Sequence, residues 1–434
     1  MRLQLRRRWL WIFGAAALLA VIGTFAWSQW LNQQLADAER AYRAGQWKRA
    51  RESGLTYLWS HPADSRVRLL VAQAMTRDDS FTAQDKVRET LGHLRQIPDG
   101  AKESAEARLL EGRLYLLRLL QPTKAEQCFR RSLKRDPQRL ETHTLLWKLF
   151  DLTDRWDLAE EHFWQIYDQT PPEHRTLPLR DWYLSEFGAN AANIELDRFL
   201  GFLQNGSQPG SDTERRRLEA FVAAEPECPE VYAVLARWYH RQRLQRPALE
   251  LVEKAERLPG ADQVDVLRGL RIAISLELGE LDQARKAFAG WPEPRDGYEY
   301  WNAAGLVADQ IDQESRRASD AYARAIQTTP GRADWRTQHR LAQCLTRLGQ
   351  TEEAASVRKQ AKEVCSLMEP EVHQGLRRAL FTPRDPQTVG LMVEFYQKLG
   401  RSREVAAWKE VGELDRASVT GGVPAGGVTS SVDR

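Results

Sequence analysis

The sequence predicts an all-α fold, a right-handed superhelical solenoid of helical hairpins preceded by one N-terminal transmembrane helix. Three observations lead there. Two consecutive 34-residue windows, 106–139 and 140–173, place small and apolar residues at matching offsets, the mark of a repeated supersecondary unit. An uncharged stretch from Trp9 to Leu31 follows Arg2, Arg6, Arg7 and Arg8. The period then lapses between about 174 and 228, which divides the hairpins into two arrays.

The N-terminal element comes first. The core of the uncharged stretch, Ile12 to Phe25, is almost wholly Ala, Leu, Ile, Val, Gly and Phe. The whole stretch, about 22 residues at 1.5 Å each, reaches roughly 33 Å, enough for a hydrocarbon layer of about 30 Å. Trp9 and Trp11 mark one end, Trp27 and Trp30 the other, as the two aromatic belts of a spanning helix would. The four arginines place residues 1–8 in the cytoplasm, and Asp37 and Glu39 stand beyond the other end. The hairpins are then expected in the periplasm or an equivalent exterior space. A cleavable signal peptide competes, because Ala26-Trp27-Ser28 reads as a small-x-small cleavage site; the length of the apolar stretch and the flanking tryptophan favour an uncleaved anchor. Arg6-Arg7-Arg8-Trp9-Leu10 matches a twin-arginine export motif only faintly.

Hairpins follow over residues 32–205. Trp47, Ala50, Tyr57 and Pro62 close the first unit, with Gly45 in its turn. In the window from 140, Leu146, Trp147, Phe150, Ala159, Phe163 and Ile166 occupy offsets 7, 8, 11, 20, 24 and 27, and Pro171 follows at 32. The window from 106 matches with Ala125, Phe129, Ser132 and Pro137, and has Gly112 and Tyr115 one place out. From about 174 the period fails. Helices still read at 180–187 and 194–203, before the loop Asn205-Gly206-Ser207-Gln208-Pro209-Gly210-Ser211, after which Asp212 or Thr213 could cap a helix. Asn205-Gly206-Ser207 would accept a glycan in a eukaryotic secretory lumen and is otherwise a turn.

The second array, 206–416, resumes with Tyr232, Leu235, Ala236, Tyr239, Ala248, Val252 and Ala255. Trp301, Ala304, Gly305 and Ala308 lead to Ala318, Tyr322, Ala325 and Pro330, and Leu341, Ala342, Leu345, Gly349, Ala354 and Ala361 form the next unit. Weaker copies lie around 65–98, 265–292 and 386–416. The last segment, 417–434, is rich in Gly, Ser, Val and Pro without periodicity and reads as a disordered tail.

These units resemble the tetratricopeptide repeat family, in its membrane-anchored bacterial type. The family's pattern sets a small residue where two helices cross, aromatics beside it, and a proline that ends the second helix. The resemblance implies that neighbouring hairpins stack, because each has two apolar faces and cannot bury both alone. It also implies a protein-protein interaction scaffold with an inner surface lined by first helices, where certain offsets point into the groove. Those offsets carry Lys148, Arg237, His240, Arg241, Arg336, His339 and Arg347, with Arg340 beside them and Glu141, Glu230 and Asp309 as counterweights. A mildly basic groove would hold protein or peptide partners with acidic segments or a carboxylate chain end through bidentate arginine contacts; equally, the charges keep the face soluble. The family's chaperone-binding carboxylate clamp is not matched: Asn302 and Leu306 stand where Lys and Asn are needed, and only Arg336 and Arg340 fit.

Composition excludes several other functions. Sixty-three basic residues against 60 acidic ones give a net charge of +3, so nothing calls for nucleic acid. Cys128, Cys228, Cys344 and Cys365 form no CxxC pair, which leaves no zinc ribbon, no dithiol centre and no rubredoxin-like metal domain. Cys128, next to Phe129, reads as a small core residue, and Cys344 and Cys365 are the best candidates for a disulfide in an oxidising space. No phosphate-binding loop, HExxH, GxSxG or calcium loop occurs, and the eight histidines are scattered. An enzyme, a cofactor, a resident metal and a small-molecule substrate are therefore not expected.

Overall fold

The computed structural model describes residues 2–78, 83–153, 155–187 and 211–420; along the first helix, side chains are described for residue 19 and from residue 21 onward. Every regular element among them is helical. The helices are α1 (Arg2–Arg43), α2 (Trp47–Ser60), α3 (Ser65–Arg77), α4 (Ala83–Arg95), α5 (Ser104–Arg118), α6 (Pro122–Arg135), α7 (Leu140–Leu152), α8 (Trp156–Gln169) and α9 (Thr176–Phe187). Then come α10 (Ser211–Ala224), α11 (Pro229–Arg241), α12 (Gln245–Ala255), α13 (Asp265–Glu277), α14 (Leu281–Ala289), α15 (Gly297–Gln310) and α16 (Ser315–Ala325). The last are α17 (Thr329–Ala333), α18 (Trp335–Arg347), α19 (Thr351–Leu367), α20 (Pro370–Ala379), α21 (Pro386–Lys398) and α22 (Ser402–Thr420). Contacts divide the chain into two units, one of residues Met1–Leu119 and Lys124–Thr142, the other of Leu120–Thr123 and His143–Arg434. The boundary expected near residue 205, together with the 194–203 helix and the Asn205 loop, lies outside the described residues. The expected tail begins with helix, since α22 continues to Thr420.

In the first unit, α1, α2, α3, α4 and α5 pack each against the next. Small residues let the helices approach: Ala41, Ala50 and Ala74 meet in one cluster, and a Cβ on Gly54 would come within 2.5 Å of Val71 Cγ2. Leu31, Tyr57, Leu58, Val67, Val71 and Met75 fill the space beside them. Helix α1 therefore has two parts. From Leu31 onward it is the first helix of the first hairpin, whereas Leu19, Val21, Ile22, Phe25, Trp27 and Trp30 are exposed. Among the described residues no helix is long and apolar enough to cross a membrane, and about half of the expected spanning segment, Trp9–Leu31, has side chains outside that set.

The second unit repeats the scheme. Packed pairs α11–α12, α13–α14, α15–α16, α18–α19 and α21–α22 are each a helix, a short turn and a second helix, with α12 against α13 and α16 against α18. Phe221, Tyr232, Ala236, Ala248 and Val252 form part of one core cluster; Ala308, Ala318, Tyr322, Leu341 and Ala354 form part of another. Helix starts follow ordinary rules: Asp334 Oδ1 accepts from the Arg336 and Thr337 amides, and Asp385 Oδ1 from that of Gln387.

One feature of this unit has no counterpart in the local repeat pattern. Helix α22 packs against α9, though more than two hundred positions separate them. Arg401 holds Glu186 with two guanidinium nitrogens, one of them at 2.6 Å, and lies 3.5 Å from Glu404, all three being deeply buried. Trp182 Nε1 donates to Glu404 at 3.4 Å, Tyr167 donates to Glu410 at 3.0 Å, and Arg175 reaches Glu410 at 2.6 Å. Tyr183 and His373 are 2.9 Å apart, bringing α20 into the same junction.

Candidate functional site

The candidate surface is built from the first helices of the second unit, α11, α13, α15 and α18. Their side chains reach across from one helix to another. Arg237 on α11 donates to Glu299 Oε1 on α15 at 2.5 Å. His240 Nε2 on α11 lies 3.4 Å from Glu277 Oε1 on α13, with Arg243 3.9 Å from the same oxygen. Arg347 on α18 donates to Asp309 on α15, and Thr337 on α18 donates to Asn302 on α15 at 3.2 Å. Tyr298 on α15 donates to Asp334, the cap of α18, at 2.6 Å. The result is a polar ladder that fixes the register of consecutive hairpins.

Electrostatics follow from that ladder. Hydrogen bonding to His240, opposed by burial and helped by the charges of His240, Arg243 and Arg340, holds the Glu277 carboxyl below the usual range. Burial lifts the Glu299 carboxyl, with Arg237 working against that rise. Tyr298 is raised well above the ordinary phenol value, chiefly by burial and then by Asp334.

Three of the eight expected groove residues, Arg237, His240 and Arg347, are thus engaged with carboxylates of their own array, and the net field they present is smaller than the offsets suggested. Arg340 contributes to the field at Glu277. Arg336 stacks over Trp335 at 4.7 Å and is exposed; His339 Nε2 is 3.1 Å from Gln343 Nε2, on the same exposed side of α18. Arg241 and Lys148 are exposed, the latter on α7. Of the expected counterweights, Asp309 serves Arg347, and Glu141 pairs with Arg113 at 2.8 Å in the first unit. The partners that the sequence reading missed are Glu277 and Glu299. Each sits on the first helix of a hairpin downstream of its cation, so a reading of one unit at a time has no signal for the pairing.

Beside Arg237, a small apolar-walled cavity of about 50 Å³ lies among Val231, Val234, Val264, Val266 and Thr153. It has room for a water molecule or two and no more. Among the described residues no cluster of His, Cys, Asp or Glu has metal-binding geometry. Cys344 and Cys365 do not form a disulfide, and Cys128 is buried as expected.

No protein-family model matches the chain, and no curated protein matches it. Solved structures similar to it include the Cut9–Hcn1 hetero-tetramer of the APC/C, at 12% identity over 87% of this chain and 74% of that one, with a TM-score of 0.37. A tetratricopeptide repeat protein from Parabacteroides merdae shares 19% identity over 65% of this chain and 99% of its own, with a TM-score of 0.30. The P58(IPK) TPR domain shares 16% over 89% and 99%, with a TM-score of 0.24. Superpositions this loose leave the description of the fold to the helix pairs themselves.

Proposed function

We propose that this protein is a membrane-anchored scaffold of tetratricopeptide-like hairpins that gathers protein partners on the non-cytoplasmic side of the membrane and performs no chemistry itself. The observation that carries the scaffold reading is the ladder of first helices. It spends Arg237, His240 and Arg347 on holding hairpins in register, and leaves Lys148, Arg241, Arg336 and His339 on exposed positions of first helices. An extended peptide with carboxylates spaced along it suits such a face, because guanidinium forks pair with carboxylates in two-point geometry.

The anchor rests on α1. Leu19, Val21, Ile22 and Phe25 are 54–69% exposed, a continuous apolar surface on one helix, and they continue an uncharged stretch that begins at Trp9. Water is a poor environment for such a surface and a hydrocarbon layer a good one. With the arginines at its start, the helix is oriented with its N-terminus in the cytoplasm.

Carbonate extraction of membranes, followed by N-terminal sequencing of the mature chain, tests this. Retention in the membrane pellet with residues 1–8 intact is expected. A mature chain starting at Trp27 or Gln29 and released by carbonate would instead make it a soluble exported protein.

A further inference from the structure

Trp59 is 79% exposed at the end of α2, the most solvent-facing tryptophan of the described residues. It does not stand alone. Its ring centroid is 6.0 Å from that of Trp27, edge to face, and Trp27 is 4.9 Å from Trp30. This cluster sits where α1 changes character: Phe25 just before it is 66% exposed, and Leu31 just after it is 4% exposed within the core of the first hairpin. The charged residues of this part of α1, Asp37, Glu39 and Arg40, come farther along, where they pair with one another and with Arg66.

We propose that the open end of the first hairpin, opposite its turn at Gly45 and with Trp59 at its centre, seats in the headgroup layer of the bilayer that α1 enters, so that the outer aromatic belt of the anchor is built from two elements of the fold. The inference rests on the anchor reading above. Its physical basis is the indole ring, which combines an apolar body with one N–H donor and partitions to the boundary between headgroups and acyl chains. Trp27 and Trp30 fix the depth of that boundary along α1, because the exposed apolar side chains end there. Trp59 is in contact with Trp27 and therefore lies at the same depth, although it belongs to a repeat helix that the apolar stretch does not include. Leu58, its chain neighbour, is buried in the hairpin core, which holds Trp59 rigidly at that end. The bilayer occupies this surface through lipid, and the seating sets the tilt of the first hairpin against the membrane.

Hydroxyl-radical footprinting of the purified full chain, reconstituted in phosphatidylcholine–phosphatidylglycerol vesicles and read by peptide mass spectrometry, tests it. Trp335, half-buried and in the second unit, is the internal control. Trp59 is expected to oxidise at least severalfold more slowly than Trp335, and to do so equally at one chain per vesicle. Faster oxidation of Trp59 than of Trp335 in chains that remain carbonate-resistant overturns the seating and leaves the anchor standing. Protection that disappears at one chain per vesicle overturns it too, in favour of a second copy on that face. Chains that fail to stay in the vesicles overturn the anchor and this inference together.

Discussion

Gly305 and Gly112 have no room for a side chain. A Cβ on Gly305 would stand 2.4 Å from two atoms of the Tyr322 ring, and one on Gly112 2.4 Å from Phe129 Cε1. The same crossing thus recurs in both units, with a glycine on the first helix against an aromatic on the second. Both rings are fully buried and cannot yield. Gly305→Ala and Gly112→Ala are each expected to cost about 1–3 kcal/mol in urea denaturation, through overpacking. Ala159, also fully buried, tolerates a carboxylate still less. Cys128 illustrates a chemical consequence of the same close packing. Burial, with Glu111 adding to it, pushes its thiol up to about 12. At pH 8 roughly one molecule in ten thousand then carries the reactive thiolate. Iodoacetamide at that pH is expected to modify the half-exposed Cys365 in the native protein and Cys128 only in denaturant; native labelling of Cys128 would contradict its place in the core. These positions were legible in the sequence because they belong to the repeat: Gly112, Phe129, Gly305 and Tyr322 mark the offsets at which two helices cross. The charges were only half legible. The periodic offsets place Arg237, His240 and Arg347 on first helices, but a cation's offset carries no information about the acid that faces it from another hairpin.

At the scale of elements, the junction of α9 with α20 and α22 is held by a buried ionic group. Burial works against the charge on Arg401, and Glu186 and Glu404 more than restore it; burial lifts both carboxyls above the usual range while Arg401 draws them down. A folded state with raised carboxyls binds protons that the unfolded chain releases. Its contribution is present at low pH and is lost as pH rises through the folded values. Arg401→Met leaves two carboxylates buried without a cation, and a loss of about 3–5 kcal/mol is expected near neutrality. That loss should be smaller at pH 5 than at pH 8, where the carboxyls must stay charged. Hydrogen exchange locates the effect: amides of 176–187 and 386–411 should lose protection together, with those of α11 and α12 little changed. Loss of protection in α22 alone would mean that α9 is held without the ionic group. Periodicity cannot reveal this junction. It reports packing between neighbours along the chain, whereas Glu186 and Arg401 lie 215 positions apart, the first where the period fails and the second in one of the weaker copies.

For the whole molecule, the sequence makes the hairpin order readable because each unit buries its neighbour's apolar face, so the cost of a wrong residue is local. A partner leaves no such trace, since a binding face need satisfy only its ligand. The central claim is that the exposed side of the first helices captures proteins at the membrane. Site-specific photocrosslinking in intact membranes tests it most directly, with p-benzoylphenylalanine in place of Gln343, beside His339 on α18, and in place of Lys359 on the second helix α19. The account predicts adducts of defined mass from position 343, diminished by Arg241→Glu and Arg336→Glu, and none from position 359. Equal adducts from both positions, or adducts from position 359 alone, would contradict it.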